Sequence, residues 1–283
     1  MKARIEIIEE YNTLLREIYM EYDLRCLADE DYTYKGRNVL SPANDAEQDM
    51  VRSGLYTRLE QILTLNKADN NFMHAENELI GTTADLKYRL GTLYLYAPYV
   101  VKLQDSYYQF NGKDQFYHEP TYLDSRYNRE IPVAFETLYK FWQRLMDYIT
   151  AFFPELLLKT KGVTYFHTVI NHINNTQPHL TSSLNFQWIN NFADQTYPLI
   201  NKQRKVFVHT EGFENQFFRN FLDADTTAIS EMEVLDAKRQ DLLPFLHQQM
   251  ELCLEGYFKA MDFLNELVFE QDAMTEEFRY RLK

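Results

Sequence analysis

The chain has 283 residues, which is enough for one large domain or two modest ones with a substantial buried core. Aromatic residues are frequent (21 Tyr, 20 Phe and 2 Trp), while Gly and Pro are scarce at eight each, which favours long helices over the many tight turns of an all-β protein. The net charge of −13 argues against general binding of polyanions, because phosphate contacts need Lys and Arg.

Nothing in the sequence indicates secretion or a membrane span. The two cysteines, Cys26 and Cys253, lie near opposite ends of the chain and are interpreted as buried free thiols. The first residues carry charges every few positions, so we expect no signal peptide, and no run of about 18 apolar residues occurs. The sequence therefore predicts a soluble, cytoplasmic protein.

In the first half of the chain, apolar residues recur every three or four positions, as in amphipathic helices. The predicted helices are 5–22, a second one starting near Asn44 or Asp45 and ending near 63, 73–80, and 86–110 with a break near Pro98. Residues 111–130 are polar and aromatic and are predicted to be a long connection between two halves, because so long a loop is uncommon inside a domain.

The second half shows five further stretches of helical periodicity. Proline suits the first turn of a helix and serine suits the cap, so both mark predicted starts. The predicted helices are 132–153 with Pro132 in the first turn, 165–173, 184–192 capped by Ser182 or Ser183, 198–221, and 225–274 with an interruption at Pro244.

These elements predict an all-α fold, a helical bundle with additional N- and C-terminal helices. We expect an N-terminal helical region over 1–130, a bundle over 131–223, and an acidic C-terminal helical segment over 224–283 that packs on the bundle. The middle region is nearly neutral between two acidic flanks. Its charge therefore repels a phosphate less than the charge of either flank does.

One stretch carries most of the functional hypothesis. Residues 199–211 read LINKQRKVFVHTE, and Arg204 is the only arginine with a His five residues later, His209. The stretch resembles the Arg-x4-His motif of the HEPN superfamily (higher eukaryotes and prokaryotes nucleotide-binding domains). The resemblance covers about residues 131–223 and includes the run Phe141 to Asp147 and the pair Tyr165-Phe166. Lys205 stands where many members have a small polar residue.

The resemblance implies a bundle of four or five helices that forms a homodimer, with both Arg–His motifs facing one cleft. Catalytic members cut RNA without a metal ion or other cofactor, and others are inactive. It also implies a toxin or phage-defence setting, with an antitoxin or regulatory protein as a possible partner. At 100° per residue, Arg204 and His209 lie about 140° apart on their helix, so a second copy is part of the mechanistic hypothesis.

The predicted chemistry is attack of the RNA's own 2′-hydroxyl on the phosphodiester. His209 would transfer the proton, because its pKa is near neutrality, and Arg204 would stabilise the developing phosphoryl charge. Lys202 and Lys205 would bind the RNA backbone. Glu211 or Asp147 would support the imidazole.

Other hypotheses stay open. The first is a catalytically inactive helical interaction or nucleotide-binding module, and the second is a regulator that binds a protein through acidic helices. The spacing of His167 and His172 is wrong for two ligands on one helix face, so no metal site is predicted. The many tyrosines could stack on bases but are interpreted as core and interface residues: Tyr94, Tyr96, Tyr99, Tyr107 and Tyr108.

Overall fold

The computed structural model describes residues 2–37, 71–116, 121–152, 165–176, 178–209 and 229–281. Its α-helices are α1 (Lys2–Glu21), α2 (Asn71–Tyr96), α3 (Tyr122–Phe152), α4 (Phe166–Thr176), α5 (Leu184–Gln195), α6 (Tyr197–His209) and α7 (Ile229–Arg281). Short 3₁₀ helices span Ala97–Tyr99, Leu103–Ser106 and Pro178–Ser182. The all-α prediction is confirmed. None of the helices in these ranges is long and apolar enough to cross a membrane.

The chain forms two compact units, and each unit is assembled from three separate segments. Unit 1 consists of Met1–Arg25, Asp85–Tyr139 and Ile200–Glu251. Unit 2 consists of Cys26–Ala84, Lys140–Leu199 and Leu252–Lys283. The predicted division into the regions 1–130, 131–223 and 224–283 stays a prediction.

The predicted long connection over 111–130 is wrong. Strands β1 (Tyr107–Phe110) and β2 (Lys113–Phe116) pair as an antiparallel hairpin, and α3 already begins at Tyr122. The turn between the strands is Asn111-Gly112, where both residues have positive φ, 51° and 71°. An Asn-Gly pair tolerates the left-handed backbone that a two-residue hairpin turn requires, so the sequence held a signal for this hairpin.

Helix α3 begins ten residues before Pro132, so the prediction that Pro132 occupies the first turn is also wrong. The helix starts at a reciprocal cap. The Asp124 amide donates to Thr121 Oγ1 (3.1 Å), and the Thr121 amide donates to the Asp124 carboxylate (2.9 Å). Asp124 is fully buried and also accepts from the Val101 amide at 2.9 Å. These bonds fix the start of α3, and Pro132 lies inside the helix.

The remaining boundaries follow the apolar pattern more closely. The two predicted helices 73–80 and 86–110 are one helix that ends at Tyr96, just before Pro98. Ser183 caps α5 by accepting from the Phe186 amide, as predicted. The interruption at Pro244 is wrong, because α7 is continuous through it. The predicted helix near 44–63 and the extension of 198–221 beyond His209 lie outside the described residues.

The core of unit 1 near α6 is aromatic. Phe135 of α3 is fully buried, with its ring centroid 5.3 Å from that of Phe207 on α6 and 5.9 Å from that of Phe245 on α7. A second contact joins α7 to the 3₁₀ region, where buried Arg239 donates to the Val101 carbonyl (2.7 Å) and to Asp236 (2.7 Å). Both charged side chains are only 7% exposed, so each satisfies the other.

The core of unit 2 is built around Trp142. Its ring lies 3.7 Å from the Phe192 ring and 5.3 Å from the Phe166 ring, measured between centroids. On another side, α7 approaches so closely that a methyl group placed on Gly256 would lie 2.5 Å from Cη2 of Trp142. Glycine is therefore required at this point of α7 by the packing rather than by the backbone conformation.

Substitution of this glycine should destabilise the protein. For Gly256→Ala we expect a loss of about 1–3 kcal/mol in the free energy of unfolding, because the indole of Trp142 is fully buried and has little room to move. The matched control is Gly81→Ala in α2, where nothing lies within 4 Å of an added methyl group. That variant should gain about 0.5–1 kcal/mol from helix propensity. Urea unfolding of both variants measures the difference, and equal changes in the two would contradict the packing argument.

Candidate functional site

Helix α6 carries the predicted motif, and its inner face is apolar. Ile200 is fully buried and Phe207 is 8% exposed, and Arg204 lies between them on the same side of the helix. The side chain of Arg204 is 17% exposed. The motif arginine therefore belongs to the face of α6 that packs against α3.

The guanidinium of Arg204 is held by two side chains of α3. Its Nη1 donates to Glu136 Oε2 at 3.2 Å, and its Cζ lies 3.9 Å from the centroid of the Tyr139 ring. Its Nε is buried and has no hydrogen-bond partner among the described residues. The oxygen Oδ1 of Asn201, one helical turn earlier, is also buried without one. Arg204 thus has a counter-ion and a stacking partner within its own unit.

The other predicted basic residues do not converge with Arg204. Lys202 and Lys205 are exposed, and at 100° per residue they lie about 160° and 100° from Arg204 around α6. His209 is the last residue of α6. The structure therefore separates the cationic residues of the motif into one inner arginine and two outer lysines.

The two predicted supporting residues differ. Asp147 is on α3, where its carboxylate accepts from Arg144 Nη1 at 3.2 Å, and Arg144 also pairs with Glu78 at 2.6 Å. Burial raises the pKa of Asp147, and the negative charge of Glu78 raises it further, whereas Arg144 lowers it. Asp147 thus takes part in an ion-pair network of unit 2. Glu211 lies outside the described residues.

In unit 2, one side-chain amide joins α3 to the starts of α4 and α6. Gln143 of α3 donates to the Tyr197 hydroxyl, at the first residue of α6, at 2.7 Å. Its oxygen accepts from the Phe166 amide, at the first residue of α4, at 3.3 Å. The Phe166 and Tyr197 ring centroids are 5.0 Å apart. The starts of α4 and α6 are thereby fixed against α3.

Acidic side chains of α7 are used within the protein. Glu255 accepts from the Tyr34 hydroxyl at 3.2 Å, and Asp262 pairs with Arg37, whose guanidinium lies 5.1 Å from the centroid of the Phe258 ring. Glu266 accepts from Asn185 at 2.8 Å and from the Ser183 hydroxyl. In unit 2 the acidic face of this helix is therefore a docking surface for its own chain rather than a purely solvated face.

Within the part of the chain that the structure describes, no group of three or more His, Cys, Asp or Glu residues is arranged to hold a metal ion. His167 is exposed and its ring stacks beside that of Tyr165, at 6.0 Å between centroids. Comparisons with protein-family models, with curated proteins and with solved structures found no match.

Two residues at the candidate site were not identified from the sequence, Glu136 and Tyr139. They lie three positions apart on the predicted helix, so they share one face, and this spacing was the only signal available. The sequence does not reveal that α6 lies against that face. Only the tertiary contact with Arg204 gives both residues a role at the candidate site.

The contacts of Arg204 predict a measurable structural role. Arg204→Ala should lower the free energy of unfolding by about 1–2 kcal/mol, since it removes the ion pair, the stacking on Tyr139 and the buried stem. Glu136→Gln should cost less, and a double-mutant cycle of the two should give a coupling of about 0.5–1 kcal/mol. Urea unfolding provides these values, with the exposed Arg129→Ala as the control. A coupling of zero would contradict the pairing.

Proposed function

We propose that the chain is a catalytically inactive helical interaction module of the HEPN type, in which Arg204 anchors α6 to α3. What supports this is the environment of Arg204, which is 17% exposed, paired with Glu136 and stacked on Tyr139. Because Glu136 balances the charge of this guanidinium and Tyr139 covers its plane, it is poorly placed to bind an incoming phosphate. The proposal keeps the HEPN resemblance and assigns the arginine a structural role.

A metal-independent endoribonuclease is the second candidate. It is favoured by the exposed Lys202 and Lys205 on the helix that also carries Arg204 and His209. In this mechanism the RNA 2′-oxygen attacks the adjacent phosphorus, the bond to the 5′-oxygen breaks, and a 2′,3′-cyclic phosphate is left. His209 transfers the proton and Arg204 stabilises the phosphoryl charge.

The second candidate has two requirements that the first lacks. Arg204 must exchange the Glu136 carboxylate for a phosphate, so the carboxylate competes with the substrate. The Arg–His motifs of two copies must also face one groove, which makes a homodimer part of this candidate. RNA as the substrate and an antitoxin or regulatory protein as the partner belong to the same proposal, because the resemblance implies both.

An RNA-cleavage assay in EDTA separates the two candidates. For an inactive module we expect no cleavage by the parent chain and none by Glu136→Gln, in which the guanidinium has lost its competing carboxylate. For a ribonuclease we expect cyclic phosphate ends, no cleavage of DNA, and a loss of about 10²–10⁴-fold in Arg204→Ala and His209→Ala. Arg16→Ala, at an exposed arginine of α1, is the control for a general loss of positive charge.

Each outcome decides between the candidates. Cleavage that disappears in Arg204→Ala and His209→Ala, but not in Arg16→Ala, overturns the inactive-module proposal. Cleavage that both motif variants retain removes the motif from the chemistry altogether. Circular dichroism of each variant shows whether a loss of activity reflects a loss of fold.

A further inference from the structure

The first half of α3 has an exposed face that its structural role does not explain. Tyr122 is 68% exposed, Arg126 and Arg129 are exposed, and Val133 is 40% exposed. At 100° per residue these four positions lie within about 60° of one another, so they form one stripe along the helix. We call this stripe the Arg–Tyr face. The opposite side of the helix is buried, and it includes Asp124, Tyr127 and Ile131.

The face combines aromatic and cationic groups in contact with each other. The Arg126 Nε donates to the Tyr122 hydroxyl at 2.8 Å, and the Arg126 Cζ lies 5.1 Å from the Tyr122 ring centroid. Beside it, Arg89 of α2 pairs with Glu130 at 2.9 Å. The Glu130 carboxylate next to the Arg–Tyr face therefore has a counter-ion within the unit, which it shares with Asp85 of α2 at 3.3 Å.

Neighbouring α2 adds rings to the same surface. Tyr88 is 42% exposed, and its hydroxyl lies 3.4 Å from that of Tyr11 on α1. The pKa of Tyr96 is raised by burial, and the nearby charge of Arg126 opposes that shift. Tyr88 and Tyr96 are eight residues apart and so lie on one side of α2. Tyr122 of α3 and Tyr96 of α2 thus both lie near Arg126.

We propose that the Arg–Tyr face binds single-stranded nucleic acid, with Arg126 and Arg129 contacting phosphates and Tyr122 stacking on a base. Tyrosine rings accept any base on their faces, and arginines supply the charge that the backbone needs. From Tyr122 to Val133 the stripe is about 17 Å long at 1.5 Å per residue. The face therefore spans a few nucleotides.

The overall charge of −13 does not prevent such binding, but it limits it. Charges more than a Debye length away, about 8–10 Å near physiological salt, are largely screened, so the adjacent arginines dominate the local field. We expect micromolar affinity that falls steeply with salt. The inference does not depend on the proposed function, because an inactive module and a ribonuclease could both carry this face.

The test is fluorescence anisotropy with a labelled 12-residue oligouridylate whose 2′-hydroxyls are methylated. This probe cannot be cleaved by 2′-hydroxyl attack, so binding is measured independently of ribonuclease activity. Arg126→Gln combined with Arg129→Gln should weaken binding at least tenfold. It should also reduce the slope of log K against log salt by about 1.4, since each single-strand phosphate contact contributes about 0.7. A merely structural role would leave that slope unchanged.

Matched controls sharpen the result. Tyr122→Ala should weaken binding about tenfold with the salt slope unchanged, because stacking releases no counterions. Tyr165→Ala in unit 2, at a 45% exposed tyrosine, and Arg16→Gln on α1 should change nothing. The proposal is overturned by an absence of binding at 25 mM salt (about a 20 Å Debye length). Binding that the Arg126 and Arg129 variants leave unaltered, or equal competition by polyglutamate, overturns it too.

Discussion

The amphipathic pattern of α3 is the constraint on which the rest of the described structure depends. This 31-residue helix supplies Phe135 to the core of unit 1 and Trp142 to the core of unit 2. Both rings are fully buried, and burial of such large apolar surfaces is the main favourable term in folding. The cap at Asp124 fixes where the helix begins, and the spacing of its apolar residues decides which of them face each core.

The periodicity of apolar residues was enough to predict most helices, because a buried stripe repeats every three or four positions whatever it packs against. Proline was a less reliable guide. Pro98 follows the end of α2, whereas Pro132 and Pro244 lie inside helices whose tertiary packing outweighs the lost hydrogen bond. The hairpin was missed because its strands have only four residues each, although Asn111-Gly112 indicated the turn.

The candidate site could be placed on a helix from the sequence, but its environment could not. A sequence motif gives the spacing of Arg204 and His209 along one helix, and hence their angular separation. It does not give the second helix, and Glu136 and Tyr139 decide what Arg204 can do. The burial of the Arg204 stem, its counter-ion and its stacking partner all depend on the packing of α6 against α3. A short functional motif is therefore weak support for catalysis by itself.

The acidic character of the C-terminal helix takes on a different meaning once its contacts are known. A count of charges suggests that carboxylates such as Glu255 and Asp262 face solvent or a partner protein. In the structure these two side chains instead hold the turn containing Tyr34 and Arg37. A cationic protein approaching this side of α7 would first have to displace that turn. The formal charge of the sequence is consequently a poor indicator of where a basic partner would bind.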